Sequence, residues 1–391
     1  MRERFLPYGR QTIEDDDVAA VAAALRGDFL TTGPLVAKFE AVFAEKTGAE
    51  HAVACNSGTA ALHLAALALD LSEGQAAIVP AITFLATANT VRMTGAEVVF
   101  ADVDADTGLL TAETLDAARR RSAGRAIRAA FPVHLSGRLC DMPALAAAAD
   151  GMALVEDACH ALGVREVGAV RHSAAACFST HPVKMIATGE GGAITTRDGE
   201  MAARMRRLRS HGMTHDAARF EHRDAAFDGE TVNPWYYEMP EIGWNYRIPD
   251  ILCALGISQL AKLDRFHARR REIAALYERL LAPLAPAIRP VSRSDEVHGW
   301  HLYVVIADLR ALGTTRARFM KALRDEGIGT QVHYIPLHWQ PYYRRRYGEM
   351  PLPGAETYYE RCLSIPMFPG MLDQDAERVA ATLARIVGGV S

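Results

Sequence analysis

The sequence predicts an α/β protein with a large, mostly parallel sheet flanked by helices, followed by a smaller C-terminal α/β unit. Three observations carry this expectation. Short β-rich runs alternate with alanine-rich stretches of helical spacing through the first 200 residues, the rhythm of a parallel sheet with crossover helices. After residue 250 the rhythm changes, with fewer strands and more proline and aromatic residues. The chain has 391 residues, long enough for one large core and a second, smaller one.

The β-rich runs are 76–84 (AAIVPAITF), 96–104 (AEVVFADVD), 129–135 (AAFPVHL), 152–158 (MALVEDA), 175–180 (AACFST) and 191–196 (GGAITT). Each is too short for an independent helix. A long amphipathic helix is expected within 244–280 and marks the boundary, so residues 1–250, with an N-terminal arm, form the large unit and 251–391 the small one. No internal repeat or low-complexity linker interrupts this plan.

A net charge of -4 gives no reason to expect nucleic acid or an anionic membrane as partner. The arginine clusters 269–271 and 344–346 are read as solvated helix faces. Six scattered cysteines without a CxxC pair fit a reduced, cytoplasmic protein better than a disulfide framework. The N-terminus lacks a signal-peptide core, and no run approaches the ~18–20 apolar residues of a membrane span. A soluble, unexported protein is therefore expected.

In open α/β sheets ligands bind beyond the carboxyl ends of the strands, so residues just after the runs are the candidates. In CNSGTAALHLAALAL (55–69), Ser57 can cap a helix that opens with Gly58, Thr59 and Ala60. Such a helix mouth favours an anion, a phosphate above all. In ALVEDACHALG (153–163) an apolar strand ends in Glu156 and Asp157, with His160 three residues on. In CFSTHPVKMIATGEGGAITT (177–196), Ser179 ends a strand and Lys184 follows in a loop. Phe84 stands just after the run 76–84, where it can stack on a flat ring or be an ordinary core aromatic. Each feature alone is common, and their order decides. Asp157 and Lys184 lie 27 residues apart with one β-rich run between them, so both can reach the same sheet edge. An acid for a protonated ring nitrogen, a lysine for an imine and a cradle for a phosphate are what pyridoxal 5′-phosphate requires. Partial desolvation would supply the neutral amine that lysine needs to react.

With these residues assembled, the sequence resembles the DegT/DnrJ/EryC1/StrS sugar aminotransferases, fold-type I pyridoxal phosphate enzymes of the aspartate aminotransferase-like fold. The resemblance spans nearly the whole chain through LTTGP (30–34), NSGTAALHLA (56–65), EDACHALG (156–163), HPVKMIATGEGGAITT (181–196) and GWNYRIPDILCALGISQL (243–260). It implies that Lys184 forms the Schiff base, Asp157 partners the pyridine nitrogen and Phe84 stacks on the ring. Ser57, Gly58, Thr59, Ala60 and Ser179 are implied around the phosphate, and His160 beside the ring. The resemblance further implies a homodimer with shared active sites, in which Asn245 reaches the neighbouring phosphate. Thr31, Tyr334, His338 and Tyr342 are implied near the sugar nucleotide.

Within the family the likeness is greatest to the branch that aminates a UDP-linked 4-keto-6-deoxy-N-acetylhexosamine for pseudaminic acid, with L-glutamate as amino donor. PYGRQTI (7–13), WYYEMPEIGWNYR (235–247), VHYIPLHWQPYYRRRYG (332–348) and IPMFPGM (365–371) carry that likeness, and His160 favours a 4-aminotransferase. TGEGG after the lysine departs from that branch and leaves the chemistry intact. Another nucleotide 4-ketosugar, GDP-4-keto-6-deoxymannose or a UDP-4-keto-pentose, is the main alternative. A dehydratase of this fold would carry histidine in place of Lys184, and a non-catalytic sensor would lack Lys184 or Asp157. No metal is expected, since His211 and His215 have helical spacing but no glutamate follows the first.

Overall fold

Residues 5–122, 124–294 and 296–389 are described by the structure, a computed structural model. Seven short strands build the main sheet: β1 His51–Cys55, β2 Gln75–Pro80, β3 Glu97–Ala101, β4 Ala126–Ala130, β5 Ala153–Asp157, β6 Ala175–Ser179 and β7 Gly192–Thr196. Their order across the sheet is β1-β7-β6-β5-β4-β2-β3. Neighbours from β6 to β3 pair in parallel, whereas β7 runs antiparallel to both β6 and β1. The expected mostly parallel sheet is therefore present, with one reversed strand. β6 and β7 are buried along their whole length, which is why they read as apolar runs rather than as alternation.

β1 was not among the expected strands. Its sequence, HAVAC, has one β-branched residue, and burial of Ala52, Val53, Ala54 and Cys55 rather than propensity makes it a strand. As an edge strand it leaves the Ala54 N–H without a ladder partner, and the Glu40 carboxylate accepts it at 3.0 Å. The expected runs 76–84 and 129–135 are longer than β2 and β4, and their surplus residues form the turns beyond the strand ends. Helix Gly58–Ala68 lies against the sheet through Ala60, Ala61, Leu62, Leu64, Ala65 and Ala66. Each buried leucine there contributes roughly 1.5–3 kcal/mol.

The helix expected over 244–280 is two helices, Asp250–Ala261 and Leu263–Leu281. Proline at 249 disfavours helical backbone before it, and Pro249 itself is the extended N-cap residue. Asp250 accepts the Gly33 and Leu35 N–H groups at 2.8 and 2.9 Å and so caps the helix Pro34–Thr47. Lys262, between the two helices, reaches the buried carboxylate of Asp17 at 2.8 Å.

The hairpin β8 Phe227–Asp228 and β9 Thr231–Val232 follows the main sheet. Beyond the paired helices, β10 Ile288–Pro290, β11 Tyr303–Ala307 and β12 Cys362–Ile365 form a second, antiparallel sheet. Ile273, Tyr277, Val305, Phe319, Leu363 and Leu383 make its core, and Leu6 from the N-terminal arm joins them. Among the described residues no helix is long and apolar enough to cross a membrane.

Candidate active site

The loop between β6 and β7 is braced before it carries anything. Thr180 N–H donates to the Gly191 carbonyl at 2.9 Å, Thr188 N–H to the Thr180 carbonyl at 2.8 Å, and the two threonine hydroxyls bond each other. A Cβ on Gly191 would lie 2.4 Å from both hydroxyl oxygens, so only glycine fits. This brace sets Lys184 at the sheet edge, where its amino group has no hydrogen-bond or ion-pair partner among the described residues. Burial pushes its pKa below the ordinary lysine value, against the opposing pull of Cys159 and Asp157. The lysine lines a cavity of about 640 Å³.

Four strand ends supply the floor of that cavity. Asp157 ends β5, and its carboxylate accepts the Thr87 hydroxyl at 2.7 Å and the Cys159 N–H at 3.2 Å. The Thr87 hydroxyl is 2.9 Å from that of Thr83. Glu156, one residue earlier, faces the other side of the sheet, where His134 meets it at 2.7 Å. Strand alternation thus separates two adjacent acids.

Beyond β1, the Ser57 hydroxyl accepts the Ala60 N–H at 3.0 Å and the Ser57 carbonyl the Ala61 N–H at 3.0 Å. The N–H groups of Gly58 and Thr59 remain unpaired at the helix mouth. A Cβ on Gly58 would sit 2.8 Å from the Ser179 Cβ, so glycine lets β6 close against the helix. Ser179 and Thr59 bring hydroxyls to the same corner. Ala60 differs from expectation, because its N–H is taken by the cap and its side chain is buried outside the cavity lining.

Phe84, beyond β2, is 55% exposed and lines the cavity, as an aromatic awaiting a partner does. Its ring centroid lies 5.9 Å from that of Tyr334. His160 is buried, with Nδ1 3.2 Å from the Ser136 N–H and Nε2 3.3 Å from the Tyr334 hydroxyl. Burial and the charge of Lys184 hold its pKa well below the usual histidine value.

The wall comes from the N-terminal arm and the second half of the chain, through Tyr8, His301, Gln331, His333, Tyr334 and Gln340. Of the residues implied near the sugar nucleotide, Tyr334 alone opens into this cavity. Tyr342 belongs to an adjoining cavity of about 520 Å³ that shares Leu85 and Gln340 with the first. His338 sits in the turn Leu337–Trp339, buried, with its ring 6.5 Å from Phe100 and Nε2 3.6 Å from Glu356. That turn rotates it inward, outside the lining of both cavities. Thr31 is exposed away from the lining, and Asn245 is exposed outside its own chain's cavity. Sequence reasoning missed Thr87, His301, His333 and Tyr8. For Thr87 a signal existed, since Thr83 and Thr87 stand one helical turn apart just after a strand.

The donor set fits pyridoxal phosphate. An unpaired amine suits its aldehyde, a held carboxylate its ring nitrogen, and two free N–H groups with two hydroxyls its phosphate.

Residues 11–384 match the model of the DegT/DnrJ/EryC1/StrS aminotransferase family. The chain belongs to this family. It is 40% identical over 398 residues to the spore coat polysaccharide biosynthesis protein SpsC of Bacillus subtilis (strain 168), covering 99% of this chain and 98% of SpsC. Its structure is similar to Helicobacter pylori PseC, an aminotransferase involved in pseudaminic acid biosynthesis, with TM-score 0.87 and 26% identity over 99% of this chain and 100% of PseC. It is also similar to Spr1654 of Streptococcus pneumoniae, solved in its PMP form, with TM-score 0.88 and 26% identity over 99% of this chain and 100% of that one. Spr1654 has been solved in a PLP form as well. As a DegT/DnrJ/EryC1/StrS member this protein is a sugar aminotransferase whose cofactor is pyridoxal 5′-phosphate.

Proposed function

We propose that the enzyme transfers the amino group of L-glutamate to C4 of a UDP-linked 4-keto-6-deoxy-N-acetylhexosamine, as in the making of a pseudaminic acid precursor. The observation that carries the chemistry is the unpartnered Lys184 amine in one cavity with Asp157. Similarity to PseC along nearly the whole chain supports the sugar, and the adjoining cavity beside Tyr342 offers room for a nucleotide. SpsC, at higher identity, is named for a different polysaccharide, so another nucleotide 4-ketosugar is the second reading.

When bound, pyridoxal phosphate supplies the electron sink and carries the amino group from one substrate to the other. Lys184 Nζ, whose pKa burial lowers, takes the proton from Cα of the amino donor and later returns one at the sugar C4. Asp157, fixed by Thr87 and Cys159, supplies the negative charge for the ring nitrogen. Gly58, Thr59 and Ser179 receive the phosphate, with Ser57 shaping the turn, and Phe84 covers one ring face.

A homodimer completes this reading. Among the described residues that line the two cavities, Lys184 and Arg92 are the single lysine and arginine, little charge for a nucleoside diphosphate. Trp235, Tyr237, Met239 and Ile242 are strongly exposed just before Asn245 and Arg247, as expected of a segment that packs on a second copy and delivers Asn245 to its phosphate. The six cysteines are free, in keeping with a cytoplasmic enzyme, and the division of the chain near residue 250 stands as part of the same reading.

Absorbance of the purified protein tests the substrate. L-Glutamate should remove the cofactor's visible band, and the UDP-4-keto-6-deoxy-N-acetyl-L-sugar should restore it. Restoration by a different ketosugar nucleotide alone replaces the first reading with the second.

A further inference from the structure

Ser136 adopts φ +60° in the turn Leu135–Gly137, a backbone conformation that few residues other than glycine accept. Two bonds from the second half of the chain hold it there. Gly299 N–H donates to the Gly137 carbonyl at 2.7 Å and Leu302 N–H to the Ser136 carbonyl at 3.1 Å. In this conformation the Ser136 N–H is aimed at His160 Nδ1, 3.2 Å away.

An imidazole nitrogen that accepts an N–H carries no proton of its own, so the proton of neutral His160 is on Nε2. Nε2 faces the Tyr334 hydroxyl at 3.3 Å and therefore donates to it. The ring of His301, 4.4 Å from that of His160, keeps the imidazole plane in place. With one lone pair of its oxygen occupied, Tyr334 must direct its own proton elsewhere. Among the described residues no side chain or backbone group accepts that proton, and Tyr334 lines the cavity.

We propose that Tyr334 is a dedicated hydrogen-bond donor to an acceptor oxygen, carbonyl or carboxylate, of the bound substrate, with its direction imposed by the Ser136 N–H and His160. Tyr334 is then a catalytic residue in the sense of touching substrate, and His160 a positioning residue acting through it. A carbonyl oxygen can only accept, so an enforced donor selects the keto group over an ammonium group in its place. The burial that keeps His160 neutral keeps the tautomer fixed across the physiological range. This inference rests on the aminotransferase reading of the cavity and adds the polarity of one contact within it.

Two measurements test it. In the ¹⁵N-histidine-labelled protein, with and without cofactor, His160 should be protonated on Nε2 throughout neutral pH; protonation on Nδ1 overturns the relay whatever the substrate is. In single-turnover half-reactions followed by cofactor absorbance, Tyr334→Phe should slow one half by about tenfold or more. Slowing of the ketosugar half assigns the oxygen to the sugar carbonyl, and slowing of the glutamate half assigns it to the amino-acid carboxylate. Changes below about twofold in both halves overturn the proposal.

A glutamine at 160 can accept from Ser136 through its oxygen and donate to Tyr334 through its nitrogen, whereas leucine can do neither. His160→Gln should therefore lose less than His160→Leu, and His160→Leu combined with Tyr334→Phe should be no slower than Tyr334→Phe alone. Additive losses in the double variant would show that His160 acts independently of Tyr334 and sink the relay. A wild-type enzyme that turns over neither glutamate nor any ketosugar defeats the substrate reading, and the tautomer measurement still judges the relay.

Discussion

The floor and the wall of the cavity are built on different principles. Floor residues stand at, or a few positions beyond, the ends of β1, β2, β5 and β6, with Ser57 fixed by its own helix cap, Gly58 by its close approach to Ser179 and Asp157 by the Thr87 hydroxyl. Wall residues come from Tyr8, His301 and the stretch 331–340, where loops of the second half of the chain meet the first. A sheet edge presents its residues by a rule that the sequence displays. Loops present theirs through tertiary contacts, which it does not. The floor should therefore carry the chemistry at the cofactor and respond most steeply to substitution, while the wall should contact and orient the substrate.

Lys184→Ala is the strongest test of the floor. With no other amine among the described residues that line the cavity, turnover should fall by roughly 10⁴-fold or more and the visible band of the lysine-bound cofactor should be lost. Asp157→Asn comes next, because it keeps the shape and removes the charge. The expected loss in single-turnover rate is about 10²- to 10³-fold, with cofactor still bound. Retention of full rate would move the charge requirement to another group and erase the contrast with Glu156.

Gly58→Ala probes how the floor is closed. The added methyl meets the Ser179 Cβ at 2.8 Å, so helix and strand must separate at the phosphate corner. A cost of about 1–3 kcal/mol in stability is expected, together with weaker cofactor binding by equilibrium titration. Unchanged binding would mean that the corner does not hold the phosphate.

Lys184 also links the site to pH. Burial lowers its folded-state pKa below the unfolded value, so between the two pH values the unfolded chain binds the extra proton. Stability of the cofactor-free protein should then rise with pH across that window, and the penalty for burying the charge is full below the folded pKa. Lys184→Met should raise the melting temperature at neutral pH by about a degree or two, with the gap closing as pH approaches the ordinary lysine value. A gap that is constant with pH would refute the charge penalty.

Particular residues show how far the sequence could be read. Lys184, Asp157, Phe84, Gly58 and Ser179 were legible because strand ends and a helix mouth announce them. β1 was hidden by its alanines, since burial of four of its five residues rather than β-branching makes HAVAC a strand. Ser136 and His301 were hidden more deeply. Neither residue type signals its role, which depends on a positive φ and on contacts between residues more than 100 positions apart.

His338 tests the wall side of the comparison with the smallest expected effect. It stands four residues after Tyr334 in an aromatic stretch that reads as one recognition surface, yet the turn at Leu337–Trp339 buries it against Phe100. Its ring nitrogens make no close hydrogen bond, Nε2 standing 3.6 Å from Glu356, and burial lowers its pKa against the pull of that carboxylate. Removing an unsatisfied buried polar group can stabilise a protein. His338→Leu should therefore leave kcat and KM within about twofold of the parent and change stability by no more than about 1 kcal/mol, in the favourable direction if the shape is accommodated. Steady-state kinetics decide the point. A large rise in KM for the sugar nucleotide would mean that the wall repacks around substrate and brings His338 into it, and the division between fixed floor and adaptable wall would then extend to residues this fold keeps in its core.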